Sequence, residues 1–212
     1  IGLAHVKLGQ TSHAVEYYNK VTARMEQLVK EEPENPVHAF ALAYSYTELG
    51  DVFETIGQTE ESRGLYQKAI KIGEQLTATY SNEPKYAVNL ATDYYNYGLL
   101  LQTSESLDVA FKFYEKSIAI EEQLVNRYPA ISDYAVNLEV SYRTIAAELY
   151  LSGVQTRTLE FYNKHAKLAA KIAELFPNIP SLDYIQMNRF YSVGMVYILN
   201  GDYKKASIHI DA

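Results

Sequence analysis

Apolar positions recur at spacings of three and four along nearly the whole chain, and short polar breaks separate the runs. Between 36 and 56, Phe40, Ala43, Tyr46, Leu49, Gly50 and Phe53 fall on one face, the period of an amphipathic helix. Leu65, Ala69, Ile72 and Leu76 mark a second helix over 59–80. The same pattern predicts helices over 84–103, 104–128, 133–151, 156–176 and 181–199, a complete one over 11–31, and the tail of one over 1–8. Asn35 is a candidate N-cap, and Pro36 suits a first turn, where its missing N–H is not needed. Thr59, Ser104 and Asp202 are expected to cap the helices that follow them. Gly57, Gly153 and Gly201 are expected to stop helices, because glycine accepts the left-handed geometry of a stop. No strand pattern is found. Pro33, Pro129 and Pro177 mark loops between helix pairs, and at Pro177-Asn178-Ile179-Pro180 the loop gains about two residues while the next helix loses about two.

These helices recur in register. Gly9, Gly57, Gly153 and Gly201 are multiples of 48 residues apart, with Glu105 in the remaining place. Tyr18, Tyr66, Tyr114 and Tyr162 keep that spacing, as do Lys20, Lys68, Lys116 and Lys164, and Leu28, Leu76 and Leu124, with Ile172 next. A register held along a chain means one supersecondary unit copied several times, each burying its apolar face against its neighbours. The fold expected is all-α, an α-solenoid of antiparallel helix pairs. A single solenoid over 1–212 divides into a partial repeat 1–36, repeats 37–84, 85–132 and 133–180, and a partial repeat 181–212. Both ends cut a repeat, so a piece of a longer solenoid is expected. Apolar faces left uncovered there, including parts of Tyr197, Ile208 and Ile210, are expected to drive self-association.

Tyr46-x2-Leu49-Gly50-x2-Phe53 followed by Ser62-x3-Tyr66 resembles the tetratricopeptide repeat (TPR) signature. The next unit offers Tyr94, Tyr97, Gly98 and Leu101, then Ala110 and Tyr114. The third offers Tyr142, Ile145, Ala146 and Leu149, then Thr158 and Tyr162; the fourth offers Phe190, Val193, Gly194 and Tyr197, then Ala206 and Ile210. Ile1, Gly2 and His5, then Ala14 and Tyr18, stand for the first, partial unit. The common unit has about 34 residues. The present one resembles a long variant of about 48, as found in multi-domain bacterial and archaeal proteins. Small residues at Gly2, Gly50, Gly98, Ala146 and Gly194 let paired helices approach, and the register tyrosines fill the space between pairs.

The resemblance implies a right-handed superhelix whose inner groove is lined by the first helix of each pair. The residues it places there are Tyr44, Thr47, Asp51, Glu54, Tyr95, Asn96, Leu99, Gln102, Arg143, Tyr150, Tyr191, Met195 and Ile198. Several are aromatic or apolar where a solvated face would be polar, as a peptide groove requires; burial against the neighbouring pair is the other explanation. Chaperone-binding members of the family clamp a C-terminal carboxylate with Lys, Asn and Arg. Asn96 matches one Asn of that clamp, but Thr47, Val140 and Thr144 stand where basic partners belong, so that function is not carried over.

Composition narrows the function further. Net charge is −7, which argues against a general nucleic-acid-binding surface. The charge is uneven: 12 Lys/Arg face 21 Asp/Glu over 1–150, against 7 and 5 over 151–212. There is no cysteine, hence no disulfide or thiolate chemistry. No apolar run approaches a membrane span and no signal peptide is visible, so a cytoplasmic location is expected. His5, His13, His38, His165 and His209 form no metal-ligand spacing, and His165 reads as a packed core histidine in a place held by Ala69 and Ser117 elsewhere. The pairs Glu31-Glu32, Glu60-Glu61 and Glu121-Glu122 read as solvated faces and dipole partners. No catalytic motif, cofactor loop or metal site is found. The sequence points to a non-catalytic protein–protein interaction module that binds a peptide or helix of a partner protein. The alternative is a sensory or regulatory segment controlling an attached NTPase, protease or DNA-binding domain.

Overall fold

A computed structural model describes residues 11–210, and side chains over 13–206. The expectations placed on 1–8, Gly9, and the side chains of Ile208, His209 and Ile210 lie outside the described residues. Nine α-helices and no strand occur among the described residues: α1 (Thr11–Glu31), α2 (Pro36–Thr55), α3 (Thr59–Thr79), α4 (Pro84–Ser104), α5 (Leu107–Arg127), α6 (Ser132–Leu151), α7 (Gln155–Leu175), α8 (Leu182–Leu199) and α9 (Tyr203–Ile210). The chain forms two compact units, Ile1–Ile120 and Glu121–Ala212. Within each, consecutive helices pack against one another.

Local chemistry explains most of the helix ends. The Asn35 side chain accepts a hydrogen bond from the Val37 N–H at 3.0 Å, and Pro36 occupies the first turn of α2. Gly57, Gly153 and Gly201 adopt φ of 75°, 74° and 78°, the left-handed geometry that a side chain disfavours. Asp202 Oδ1 accepts from the Lys205 N–H at 3.2 Å and caps α9. Two caps differ from expectation. Thr59 is the first helical residue of α3, behind an N-cap at Gln58 with no side-chain bond. Ser104 ends α4 instead of starting α5, its hydroxyl donating back to the Leu100 carbonyl at 2.7 Å. Glu105 stands where glycine would be and takes φ −131°, ψ −94°, a turn without positive φ. Arg63 ties that turn down, pairing with Glu105 and reaching the Ser104 hydroxyl at 3.3 Å. The loop before α8 is longer and α8 is shorter than its counterparts, with 18 residues against 20 in α2.

In unit 1, Leu42, Tyr46, Leu49, Leu65 and Ala69 form a buried cluster with Tyr18, Met25, Val29, Phe53 and Ile72 around it. In unit 2, Ala135, Ala169, Ile172 and Ile185 do the same. Tyr66, Tyr114 and Tyr162 are almost completely buried. The small residues facing them matter: a Cβ added at Gly50 would meet the Tyr66 ring at 3.1 Å, and one at Gly98 would meet the Tyr114 ring at 2.6 Å.

One polar triad recurs with the repeat. The Tyr46 hydroxyl donates to Glu26 at 2.7 Å, Tyr94 donates to Glu74, and Tyr142 donates to Glu122 at 2.5 Å. Lys68, Lys116 and Lys164 sit over those same tyrosine rings at 5.2, 4.7 and 5.5 Å. Burial and the adjacent carboxylate raise all three tyrosine hydroxyls above their ordinary pKa. Each tyrosine belongs to the first helix of a pair and each glutamate to the second helix of the pair before, so the triad links neighbouring repeats. In the fourth unit the tyrosine becomes Phe190 and the glutamate becomes Ala170, so donor and acceptor disappear together.

Candidate functional site

The residues expected on the inner face fall on α2 and α4 in unit 1, and on α6 and α8 in unit 2. In unit 1 several of them are joined by hydrogen bonds to a group of carboxylates, one of which, Asp93, is buried. Thr47 is only 5% exposed; its hydroxyl lies 2.6 Å from Asp93 Oδ1 as a donor. Asn89 donates to the other Asp93 oxygen at 2.9 Å. Asp93 is fully buried, and burial pushes its carboxyl up to about 7, against the lowering effect of the two donors. Asp51 lies one turn beyond Thr47. It accepts from the Tyr66 hydroxyl at 2.6 Å and from Asn96 at 3.3 Å. Burial, with Glu48 and Glu54 nearby, pushes it up to about 6. Glu54 lies 2.9 Å from the same Tyr66 hydroxyl.

Farther along, Gln102 accepts from the Tyr114 hydroxyl at 2.7 Å, and the Tyr95 ring lies 5.7 Å from that of Tyr114. Leu99 is half-buried. Tyr44 is 53% exposed, and its hydroxyl is raised first by a hydrogen bond to Glu48. Glu48, Asp51, Glu54 and Asp93 have no ion-pair partner among the described residues.

The residues expected on the inner face in unit 2 are two tyrosines, two aliphatic side chains and one cation. The Arg143 guanidinium lies 5.6 Å from the Tyr184 ring centre, and its Nε is 3.7 Å from Glu139. Glu139 is buried and 2.5 Å from His165 Nε2, which is also buried. Tyr150 and Tyr191 are 45% and 47% exposed. The Tyr191 ring meets that of Tyr162 edge-on at 6.2 Å, and burial together with Tyr191 and Tyr150 raises the Tyr162 hydroxyl. Met195 is 5% exposed and Ile198 half-buried. Thr47 and Met195 are therefore parts of the packing beneath the surface, while Tyr44, Tyr150 and Tyr191 stand on it.

Sequence reasoning passed over Asp93, Glu139 and Tyr184, the last of them exposed, and weighed the exposed Val140 only as a place in a carboxylate clamp. The repeat frame held the signal for Glu139 and His165. Ala43 and Ala69, Ala91 and Ser117, and Glu139 and His165 occupy the same pair of positions. Ser117 donates to the Ala91 carbonyl at 2.8 Å, so a tight small-residue contact in one unit becomes a buried carboxylate–imidazole pair in another. Glu121 also departs from expectation. It is no solvated carboxylate: the Ser141 hydroxyl donates to it at 3.0 Å, and burial pushes it up to about 7. Lys116 lies on a second helix as expected, yet it is engaged with Tyr94, Phe113 and Glu74.

Among the described residues, no group of three or more His, Asp and Glu side chains could hold a metal ion. None of their helices is long and apolar enough to cross a membrane.

A tetratricopeptide-repeat family model matches residues 1–24, 43–75 and 94–124. No curated protein matches the sequence. Among solved structures, BtubC (BKLC) from P. vanneervenii is similar with a TM-score of 0.71 at 17% identity, over 99% of this chain and 74% of that one. A putative kinesin light chain with nearly identical TPR-like repeats, from Podosopora anserina, is similar with a TM-score of 0.69 at 18% identity, over 99% of this chain and 88% of that one. Together with the 48-residue register and the paired helices of 20 and 21 residues, these findings show tetratricopeptide repeats in the chain and a TPR-like fold of paired helices.

Proposed function

We propose that this chain is a non-catalytic docking module, and that a peptide or helix of a partner protein lies against the inner-face residues of its first helices. The observation that supports this reading is the exposure of Tyr44 in unit 1 and of Tyr150 and Tyr191 in unit 2. Large, rigid aromatics in contact with water are a costly surface for a monomer and a favoured one for an interface. The half-buried carboxylates Glu48, Asp51 and Glu54 of unit 1, which have no ion-pair partner among the described residues, add a preference for a partner segment carrying Lys or Arg there. The aromatic face of unit 2, with Arg143 held over Tyr184, favours apolar and carboxylate groups instead.

Site-specific photo-crosslinking in native lysate tests the reading. A photoreactive residue replaces Tyr44, Tyr150 or Tyr191 in turn, with Lys112 on α5 as the control, since it is exposed and has no partner among the described residues. The same protein should be captured from the three tyrosine positions and not from Lys112. Capture from Lys112 alone contradicts the inner-face reading.

A further inference from the structure

We propose that a cleft on the second-helix side of unit 2 docks an acidic, partly apolar segment of a partner protein, as a second surface beside the one proposed above. The cleft measures about 340 Å³ and is formed by the end of α5, by α6 and by α7. Val125, Leu138 and Leu168 supply apolar walls, and Lys164, Lys167 and Lys171 line one side. The three lysines lie at spacings of three and four, hence on one face of α7.

The lysines are not equivalent. Lys164 is the register lysine of the triad, held by Glu122 at 3.5 Å and Glu160 at 3.4 Å. Lys167 and Lys171 have no hydrogen bond or ion pair among the described residues, and both are exposed. Comparison along the repeat shows what is particular here. Lys171 stands where earlier units carry Gln27, Gln75 and Gln123, and Lys167 where they carry Ala23, Lys71 and Ala119. Only this unit therefore has a lysine at all three places, in a chain whose net charge is −7.

Two free ammonium groups one helical turn apart beside an apolar floor select the occupant. Its carboxylates meet Lys167 and Lys171, and an apolar side chain between them fills the space over Val125 and Leu168. A neutral segment leaves the ammonium groups without partners, and a purely charged one leaves the apolar floor uncovered. Leu138 and Tyr142 bring α6 to this cleft by a different face from the one that carries Arg143 and Tyr150.

The test uses the whole chain and two fluorescein-labelled synthetic peptides. One is amphipathic, with Glu pairs one turn apart flanking Leu; the other has Gln in place of Glu. Anisotropy titrations at physiological salt should show binding of the acidic peptide and much weaker binding of the Gln peptide. The double substitution K167E/K171E should weaken the acidic peptide by about tenfold or more, and Tyr150→Ala should leave it unchanged. Both lysines are exposed, so the thermal midpoint of K167E/K171E should match that of the parent chain. No binding of the acidic peptide, or equal binding to both proteins, overturns the proposal. Equally tight binding of a single-stranded oligonucleotide also overturns it, because the cleft would then take polyanions at large. Each of these results leaves the inner-face reading standing, since that reading is probed at other residues.

Discussion

Asp93 is a carboxyl group enclosed by protein, held by Thr47 and Asn89 and given no cation. Its raised pKa has a consequence for stability. Between the unfolded value near 4 and the folded value of about 7, the folded state binds more protons than the unfolded one, so stability falls as pH rises through that window. Asp51, at about 6, and Glu121, at about 7, act in the same direction. Urea titrations should therefore show higher stability at pH 5 than at pH 8. Asp93→Asn should be more stable than the parent at pH 8, by about 2 kcal/mol, and should flatten the pH dependence. A parent chain more stable at pH 8 than at pH 5 contradicts this account.

Steric contacts make a second test at this scale. Gly98→Ala should destabilise by about 1–3 kcal/mol, because a Cβ 2.6 Å from the Tyr114 ring must displace a buried side chain. Gly50→Ala, at 3.1 Å, should cost less, offset by about 1 kcal/mol of helix propensity. Equal costs at the two sites in a denaturant series would show that ring contact is not what keeps these glycines small. The register tyrosines and small residues were legible in the sequence because each recurs every 48 residues. Asp93 was not, because it stands where Ser45 and Ser141 occur and its environment comes from Thr47 on another helix.

Helix starts and stops were legible wherever one residue type enforces them, as Asn35, Gly57, Gly153 and Gly201 do. Where glycine gives way to Glu105, the turn depends on Arg63, a residue far away in sequence, and local pattern reading misplaced the start of α5. The Tyr–Glu–Lys triad joins each first helix to the second helix before it. The joint loss of donor and acceptor at Phe190 and Ala170 treats the pair as one unit. A double-mutant cycle on Tyr94→Phe and Glu74→Ala should give a coupling of about 1 kcal/mol. Strict additivity of the two changes would reduce the triad to a coincidence of spacing. The pair Glu139–His165 is linked to Arg143 at 3.7 Å, so Arg143→Ala removes support from a buried carboxylate as well as a surface contact. Tyr44, Tyr150 and Tyr191 are cleaner probes of binding for that reason.

Across the molecule, repeats stabilise one another only through neighbours, so damage should stay local. Tyr114→Ala should cost about 3 kcal/mol by leaving a void against α4. Amide exchange should then rise in α4 and α5 and change little in α7 and α8. Uniform acceleration along the chain would instead indicate a single cooperative core. The fold was readable at this scale because a period of 48 survives every local substitution. The exposure of the candidate residues was only half readable, since it depends on how long helices pack. That packing hides Thr47 and Met195 and leaves Tyr44, Tyr150 and Tyr191 open.

The central claim is that the inner faces of the first helices carry the docking surface. Titration calorimetry with the crosslinked partner segment measures it directly, comparing the parent chain with Tyr44→Ala, Tyr150→Ala, Tyr191→Ala and Lys112→Ala. At least one tyrosine change should weaken binding by about 1–3 kcal/mol while Lys112→Ala leaves it unchanged. Parent-like affinity in all three tyrosine variants contradicts the account.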